Sequence, residues 1–487
     1  MGKEGPSLFF TLREWEKRDC PSFWGRRAVS ALWTSAEIAA AVGGVAHGDF
    51  EVGGVAFDSR EVEPGHLFVA MKGEATDGHL FLDRAFAAGA AGAIVGAPID
   101  QPHVLVADPT AALDALGRAA RNRTSARICG VTGSAGKTGT KEALFAALER
   151  AAPGEAHRSV KSYNNHVGVP LSLARMPREA RFGVFEMGMN HAGELAQLTR
   201  LVRPNVAIVT AIASAHRAFF ASEEAIADAK GEIFQGLEEG GIALVPHDSP
   251  YRGRLAAAAR PYAARVLSFG LGEGADIRAR DVVASPGGGS LVTAILPEAE
   301  ITFTISQPGD HWVSNALAVL GAVEALGGDL AQAGLALADL PGLKGRGERH
   351  RIALGGGEAL LIDESYNANP ASMAATLKTF GSLPVAGRRI AVLGGMRELG
   401  ESSDDFHAGL AGPVEAAGVG LAILVGEEME SLAKALGAKV KMAHVPDTAT
   451  AIELARAEAR PGDAILVKGS NSIGLAALVE ALAGGKS

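Results

Sequence analysis

The residues with the most evident chemistry lie between Gly130 and Thr140, in the stretch GVTGSAGKTGT. A phosphate-binding loop ends in Gly-Lys-Thr, and here those residues are Gly136, Lys137 and Thr138. The common form carries a glycine five residues before the second one. That position is Val131, and the nearest glycine on the loop side is Gly133. The surroundings are still those of a phosphate loop. An apolar run, ICGVT, predicts a buried strand leading into Gly133-Ser134-Ala135-Gly136, and a helix is expected from Lys137. Backbone N–H groups at that helix start would face a phosphate, aided by the helix dipole. Lys137 would neutralise terminal phosphates, and the Thr138 hydroxyl would hold Mg2+. The bland alternative is a glycine turn that happens to carry Lys-Thr. Strand, Gly-x-x-Gly, Lys-Thr and helix all agree, which favours the phosphate loop.

A nucleotide loop alone does not name a reaction. Glu186 ends the apolar run FGVFE, and ligands of open α/β sheets bind outside such strand ends. A carboxylate there can hold Mg2+, or it can simply cap the next helix. His216 follows the run NVAIVTAI, and Lys230 lies fourteen residues on, among Glu223, Glu224 and Asp228. Taken alone, these read as a structural histidine and a lysine on a solvated helix face. Asn315 falls in the first turns of the helical stretch GDHWVSNALAVLGAVEAL, as a nucleobase reader or a polar helix residue. In LIDESYNANP, Asp363 ends a strand and could hold ribose hydroxyls. The YNANP turn also reads as a linker.

Elements must bring these positions together. A chain of 487 residues predicts two to four domains, and 47% apolar with 21% charged residues is a globular composition. The net charge of -9 argues against nucleic acid as a main partner, while leaving local anion binding open. Two cysteines, Cys20 and Cys129, make no disulfide framework and fit a reducing cytoplasm. No apolar run reaches about eighteen residues, so no membrane span is expected. Residues 1–31 read as an extension without the order of a signal peptide. The runs HLFVAMKG, AGAIVG and HVLVAD predict a small α/β domain over 32–122. RICGVTG, FGVFEMG, NVAIVTAI and GIALVPHD alternate with helical segments and predict a mainly parallel sheet over 123–348. Within it, DIRARDVVASPGGGSLVTAILP predicts a hairpin with a glycine turn. RRIAVLGG, LAILVG and DAILVKGS predict a second, smaller doubly wound domain over 349–487.

In this order, TGSAGKT, SYNNHVGVPLSL, FEMGMNHAGEL, the His216 to Lys230 spacing, Asn315, IDESYNANP and LVKGS resemble the Mur ligases. The resemblance runs from about Leu32 to the C-terminus. Its most specific pieces are YNANP with Ser372-Met373, NNHVGVP, and the loop followed by Lys141-Glu142. In that family the loop is Gly-x-x-Gly-Lys-[ST], as here. The resemblance implies a three-domain α/β amide ligase: a small N-terminal UDP-substrate domain, a central P-loop ATPase and a C-terminal Rossmann-like domain. It implies ATP contacts from the loop, Gly133 through Gly139, and from Asn315, Arg346 and Asp363. Thr138, Glu186, His216 and Lys230 match positions around Mg2+, with Lys137, Glu186, His216 and Lys230 the catalytic set. Lys230 matches a lysine that reacts with CO2 to become a carbamate, an anion able to bind Mg2+. On the resemblance, the bland reading of His216 and Lys230 gives way.

The resemblance further assigns Ser59, Arg60, Lys72 and the Asp77-Gly78-His79 turn to the UDP group. Asn164 and Asn165 match a loop facing the UDP-muramoyl peptide. Tyr366, Asn367, Lys468 and Ser470 fall to an incoming dipeptide. The implied substrates are ATP, UDP-MurNAc-tripeptide and D-Ala-D-Ala, the last two joined through an acyl phosphate made with ATP, by a cytoplasmic monomer. Some positions depart from the family pattern. Gly395 stands where Asp is usual, and Asn471 and Leu475 stand where Arg and Met are common. AHRAFFAS lacks the usual context after His216. The alternatives are another Mur ligase adding one amino acid, a folylpolyglutamate synthetase, whose chain would begin near the phosphate loop, or a non-catalytic nucleotide switch, which needs no carbamate lysine.

Overall fold

A computed structural model describes residues 31–73, 76–213, 219–285 and 289–484. The N-terminal extension expected at 1–31 lies almost wholly outside them. The chain divides into two compact units, Met1–Pro109 and Thr110–Ser487.

The first unit opens with a capped helix, Ser35–Val42. The Glu37 N–H donates to Thr34 Oγ1, and the Thr34 N–H donates to Glu37 Oε2, so two otherwise orphaned helix-start donors are satisfied. Gly43, at φ 65°, closes the helix in the left-handed region. Its sheet runs Val45–His47, His103–Leu105, Gly92–Val95, His66–Val69, Gly54–Ala56. The last four strands are parallel, and Val45–His47 is antiparallel to its neighbour. Phe68, Ala93 and Val95 lie in its apolar core.

The second unit holds two sheets. The larger has nine strands in the order Glu300–Ile305, Ser290–Ile295, Ile277–Ala284, Arg265–Gly270, Ile242–Pro246, Val206–Val209, Arg127–Thr132, Phe182–Glu186, Ala156–Arg158. Strands from Ala156–Arg158 to Ile277–Ala284 pair in parallel. The central ones, such as Phe182–Glu186 and Val206–Val209, are buried at every position. That is why they read as unbroken apolar runs and not as alternation. Helices Lys137–Ala151, Asp310–Ala325 and Leu330–Ala338 pack one face around Leu144, Leu148, Leu317 and Leu320. The expected hairpin is present as Ile277–Ala284 and Ser290–Ile295, and it extends the main sheet antiparallel. Gly289, at φ 83°, is its described turn glycine.

The smaller sheet runs Glu348–Leu354, Gly357–Glu364, Ala464–Lys468, Arg389–Gly394, Leu421–Val425, Met442–Val445. All neighbours are parallel except the first pair. Alternate residues of each strand feed opposite cores. Ala391 and Leu393 pack with Leu410 and Val414, whereas Ile390 and Val392 pack with Leu475 and Leu478. The sheet is therefore doubly wound, as expected.

Candidate active site

The phosphate loop forms because two backbone positions tolerate no side chain. Gly133 (φ 150°) and Gly136 (φ 82°) adopt conformations that favour glycine. A Cβ on Gly133 would stand 2.0 Å from Thr210 Oγ1, and one on Gly136 would stand 3.0 Å from Asn315 Oδ1. A Cβ on Gly139 would likewise stand 2.9 Å from the Trp312 ring. The loop is pinned from the neighbouring strand. The Thr210 hydroxyl lies within hydrogen-bond reach of the Thr132 and Ala135 carbonyls, and the Ser134 N–H donates to Ala211 O at 2.8 Å. Lys137 Nζ folds back onto Gly133 O at 2.7 Å. Burial pushes its pKa down, Glu186 pulls it up, and Arg346 adds to the lowering.

Glu186 pairs in register with Val131, which sets its carboxylate beside the loop. Thr138 Oγ1 donates to Glu186 Oε2 at 2.9 Å, and Asn164 Nδ2 donates to Glu186 Oε1 at 2.8 Å. Lys141 Nζ stands 3.9 Å away and also holds Glu142 and the Lys161 carbonyl. A buried hydroxyl and a buried carboxylate at a phosphate loop form an oxygen donor set, which suits a hard cation such as Mg2+. Asn164 therefore orients Glu186, a role its sequence position did not suggest. Asn165 does not join it. Its Oδ1 accepts from the Val167 and Gly168 N–H groups, at the start of helix Gly168–Ala174.

Lys230 lies in the last turn of helix Glu223–Gly231, on its buried face, with 1% exposure. The surrounding acids are engaged elsewhere: Glu223 accepts from the Tyr251 hydroxyl, and Asp228 pairs with Arg254. Desolvation, reinforced by the Lys137 charge, holds the Lys230 amine well below its ordinary pKa. It is thus no solvated lysine. His216 lies outside the described residues.

The loop opens onto a cavity of about 690 Å³. From the nine-stranded sheet come Ser134 to Lys137, Glu186, Asn164 and Asn315, and from the smaller sheet come Arg346, Tyr366, Asn367, Lys468 and Ser470. The Arg346 guanidinium stacks 4.3 Å from the Tyr366 ring centroid. Lys468 is 2% exposed and donates to Glu364 Oε2 (3.3 Å) and Asn367 O (3.1 Å). Asp363 stands behind this wall and does not line it. Its carboxylate accepts from the Gly345 N–H, the Ser365 N–H and the Ser365 hydroxyl, so it shapes the turn that presents Arg346.

The YNANP segment is a helix start and not a linker. Asn369 and Ser372 form a reciprocal cap on helix Pro370–Ser382. Asn369 Nδ2 also donates to Ser134 O at 3.3 Å, tying the smaller sheet's helix to the phosphate loop. Neither that bond nor the Thr210 clamp has a local sequence signal.

Ser59, Arg60 and Lys72 belong to the first unit. Ser59 is buried, Arg60 forks onto Asp58, and the Lys72 backbone forms an isolated antiparallel β-bridge with Asp77. Asp77 accepts from the His79 backbone and ring, which lowers its pKa, and Gly96 N–H donates to His79 Nε2.

The chain is similar to known proteins. Residues 131–323 match the Mur ligase middle domain, 345–471 the Mur ligase glutamate ligase domain, and 51–149 the Mur ligase family catalytic domain. The chain is 34% identical over 444 residues to the UDP-N-acetylmuramoyl-tripeptide–D-alanyl-D-alanine ligase of Escherichia coli (strain K12), covering 89% of this chain and 94% of that protein. A crystal structure of MurF from Acinetobacter baumannii superposes with a TM-score of 0.80 at 30% identity, covering 93% of this chain and 98% of that one. MurF from Thermotoga maritima in complex with ADP gives 0.73 at 27% identity, covering 89% and 97%. With its fold, its loop and these relatives in agreement, the chain belongs to the Mur ligase family.

Proposed function

We propose that this chain joins D-Ala-D-Ala to UDP-MurNAc-tripeptide with hydrolysis of ATP, in cytoplasmic peptidoglycan precursor synthesis. The observation that carries the reading is the shared cavity. It sets a phosphate loop and an oxygen donor pair on one wall and a doubly wound sheet's strand ends on the other.

A free carboxylate does not form an amide, because hydroxide is a poor leaving group. In the proposed reaction the tripeptide's terminal carboxylate oxygen attacks the γ-phosphorus, and ADP leaves. The dipeptide amine then attacks the acyl carbon of the resulting acyl phosphate, loses a proton, and phosphate leaves. Lys137 and the loop N–H groups stabilise charge developing on the transferred phosphoryl group. Bound Mg2+, held by Thr138 and Glu186 and, on the family resemblance, by His216, would neutralise phosphate charge. A neutral, buried Lys230 amine is suited to take up CO2, and the carbamate would add an anionic oxygen donor to that set. Arg346 and Asn315 line the nucleotide side, with Asp363 supporting Arg346. Tyr366, Asn367, Lys468 and Ser470 line the dipeptide side. Ser59, Arg60 and Lys72 are assigned to the UDP group. The chain acts as a monomer of three domains, 32–122, 123–348 and 349–487.

Phosphate release from purified protein with ATP, Mg2+ and UDP-MurNAc-tripeptide tests this. D-Ala-D-Ala is expected to stimulate release, and single amino acids are not. Stimulation by a single amino acid alone would move the chain to another branch of the family.

A further inference from the structure

Lys141 is a fully buried cation for which the reaction above has no use. It projects from the second turn of helix Lys137–Ala151, and its side chain is 0% exposed. A buried ammonium is tolerated only where acceptors meet it. Glu142 Oε1 and the Lys161 carbonyl each stand 2.9 Å from Nζ, and Glu186 Oε2 stands 3.9 Å away. Glu142 has a second cation, since Arg158 Nε lies 2.8 Å from its Oε2. The short contacts of Lys141 are thus shared between one carboxylate and one neutral carbonyl, and Glu186 is the more distant partner.

The carbonyl belongs to a strained residue. Lys161 has φ 52°, a left-handed conformation uncommon for a residue with a side chain. Such positions persist where the surroundings hold them, and they gather at ligand clamps. The segment around Lys161 is stitched to the end of strand Phe182–Glu186. The Glu186 N–H donates to Ser159 Oγ at 2.9 Å, and the Gly188 N–H donates to Asn164 O at 2.8 Å. Those bonds fix residues 159 and 164. Lys141 grips the span between them from a different element, the helix that follows the phosphate loop. Ser162, next to the gripped carbonyl, lines the cavity, and so does Asn164.

We propose that Lys141 is a positioning residue for the acceptor. Through the Lys161 carbonyl it holds Ser162 and Asn164 at the cavity wall, where UDP-MurNAc-tripeptide would bind. This rests on the ligase reading above and adds to it a side chain that lies behind the site. The competing role is a charge partner for Glu186 alone, which would act on the metal and the nucleotide and not on the acceptor.

The test uses the full chain with ATP, Mg2+ and D-Ala-D-Ala, and varies UDP-MurNAc-tripeptide. Lys141→Met keeps most of the apolar stem and removes the ammonium. Its KM for UDP-MurNAc-tripeptide should rise roughly tenfold to a hundredfold for the lost charge-assisted hydrogen bond. Its kcat and its KM for ATP and for the dipeptide should change little, because Thr138 and Asn164 still hold Glu186. Trypsin should cut the Lys161–Ser162 bond faster in the variant than in wild type, as read from fragment masses. Lys161→Gly in the Lys141→Met background should recover part of the acceptor KM, because glycine takes the left-handed conformation without strain. If Lys141→Met does not fold, Lys141→Gln serves the same comparison. The proposal is overturned if the ATP KM or the Mg2+ requirement changes while the acceptor KM and the tryptic rate do not, which leaves Lys141 to Glu186. It is equally overturned if the effects of Lys141→Met and Lys161→Gly simply add. A wild-type chain that does not turn over UDP-MurNAc-tripeptide with D-Ala-D-Ala would overturn the ligase reading itself, and this inference with it.

Discussion

Lys230 is the side chain whose meaning changed most between sequence and structure. Among Glu223, Glu224 and Asp228 it reads as a solvated helix lysine, yet it faces inward at 1% exposure. A buried ammonium without a counter-ion is costly, and the amine responds by favouring its neutral form. A neutral amine is the form that reacts with CO2. Lys230→Ala is therefore expected to abolish phosphate release while nucleotide binding, followed by ADP titration, survives. Short carboxylic acids added to the variant should restore some turnover, whereas bicarbonate should not. Full activity in Lys230→Ala would remove the carbamate from the mechanism. That Glu186 and Thr138 lie at the loop was readable in advance, because strand end and loop are each contiguous in sequence. Asn164 on Glu186 was not, since it bridges twenty-two residues with no repeating pattern to announce it.

Helix starts organise this site more than their lengths suggest. The helix after the phosphate loop begins at a left-handed glycine, Gly136, and presents its first N–H groups to the cavity. The helix after YNANP begins at Asn369, whose Oδ1 accepts from the Ser372 N–H while its Nδ2 reaches Ser134 O, 235 residues away. One amide thus caps a helix and braces the loop. Local patterns revealed the parallel strands and the Gly-x-x-Gly turn, because burial on both faces and positive φ each leave a mark in composition. They misread YNANP as a linker, because Asn-Pro starts both turns and helices. They left Asp363 a candidate for ribose hydroxyls, and in the structure its carboxylate accepts from Gly345 and Ser365. Asn369→Ala should cost about 1 kcal/mol in unfolding free energy for the lost cap. Asn369→Ser should recover most of that stability, because serine caps well, but not the reach to Ser134. If the brace matters for ATP, Asn369→Ser will keep its melting temperature and still show a raised KM for ATP. An unchanged KM in both variants would leave Asn369 a helix cap alone.

The large second unit packs one titratable ring, His157, against its parallel sheet, and a loss of stability in acid is expected from it. His157 sits on the edge strand Ala156–Arg158, against Phe185, and its Nε2–H donates to Ser172 O at 2.8 Å. Burial outweighs that hydrogen bond and lowers its pKa from 6.5 to about 4, with Arg158 and Arg175 adding to the shift. The folded state therefore keeps the ring neutral where the unfolded chain already binds a proton. Between pH 6.5 and 4 the unfolded chain holds more protons, so stability rises with pH across that window and is lost as pH falls through it. Above pH 6.5 both states are neutral and the contribution is fully present. At 1.36 kcal/mol per pKa unit, the loss on reaching pH 4 is roughly 3 kcal/mol at most. His157→Gln keeps a donor for Ser172 but does not titrate. Urea unfolding from pH 4 to pH 7 should show a steeper pH dependence for wild type than for His157→Gln. The variant should be the less stable protein at pH 7, where wild type has the better packing, and should close the gap or overtake it near pH 4. Parallel curves for the two proteins would show that His157 contributes no acid sensitivity.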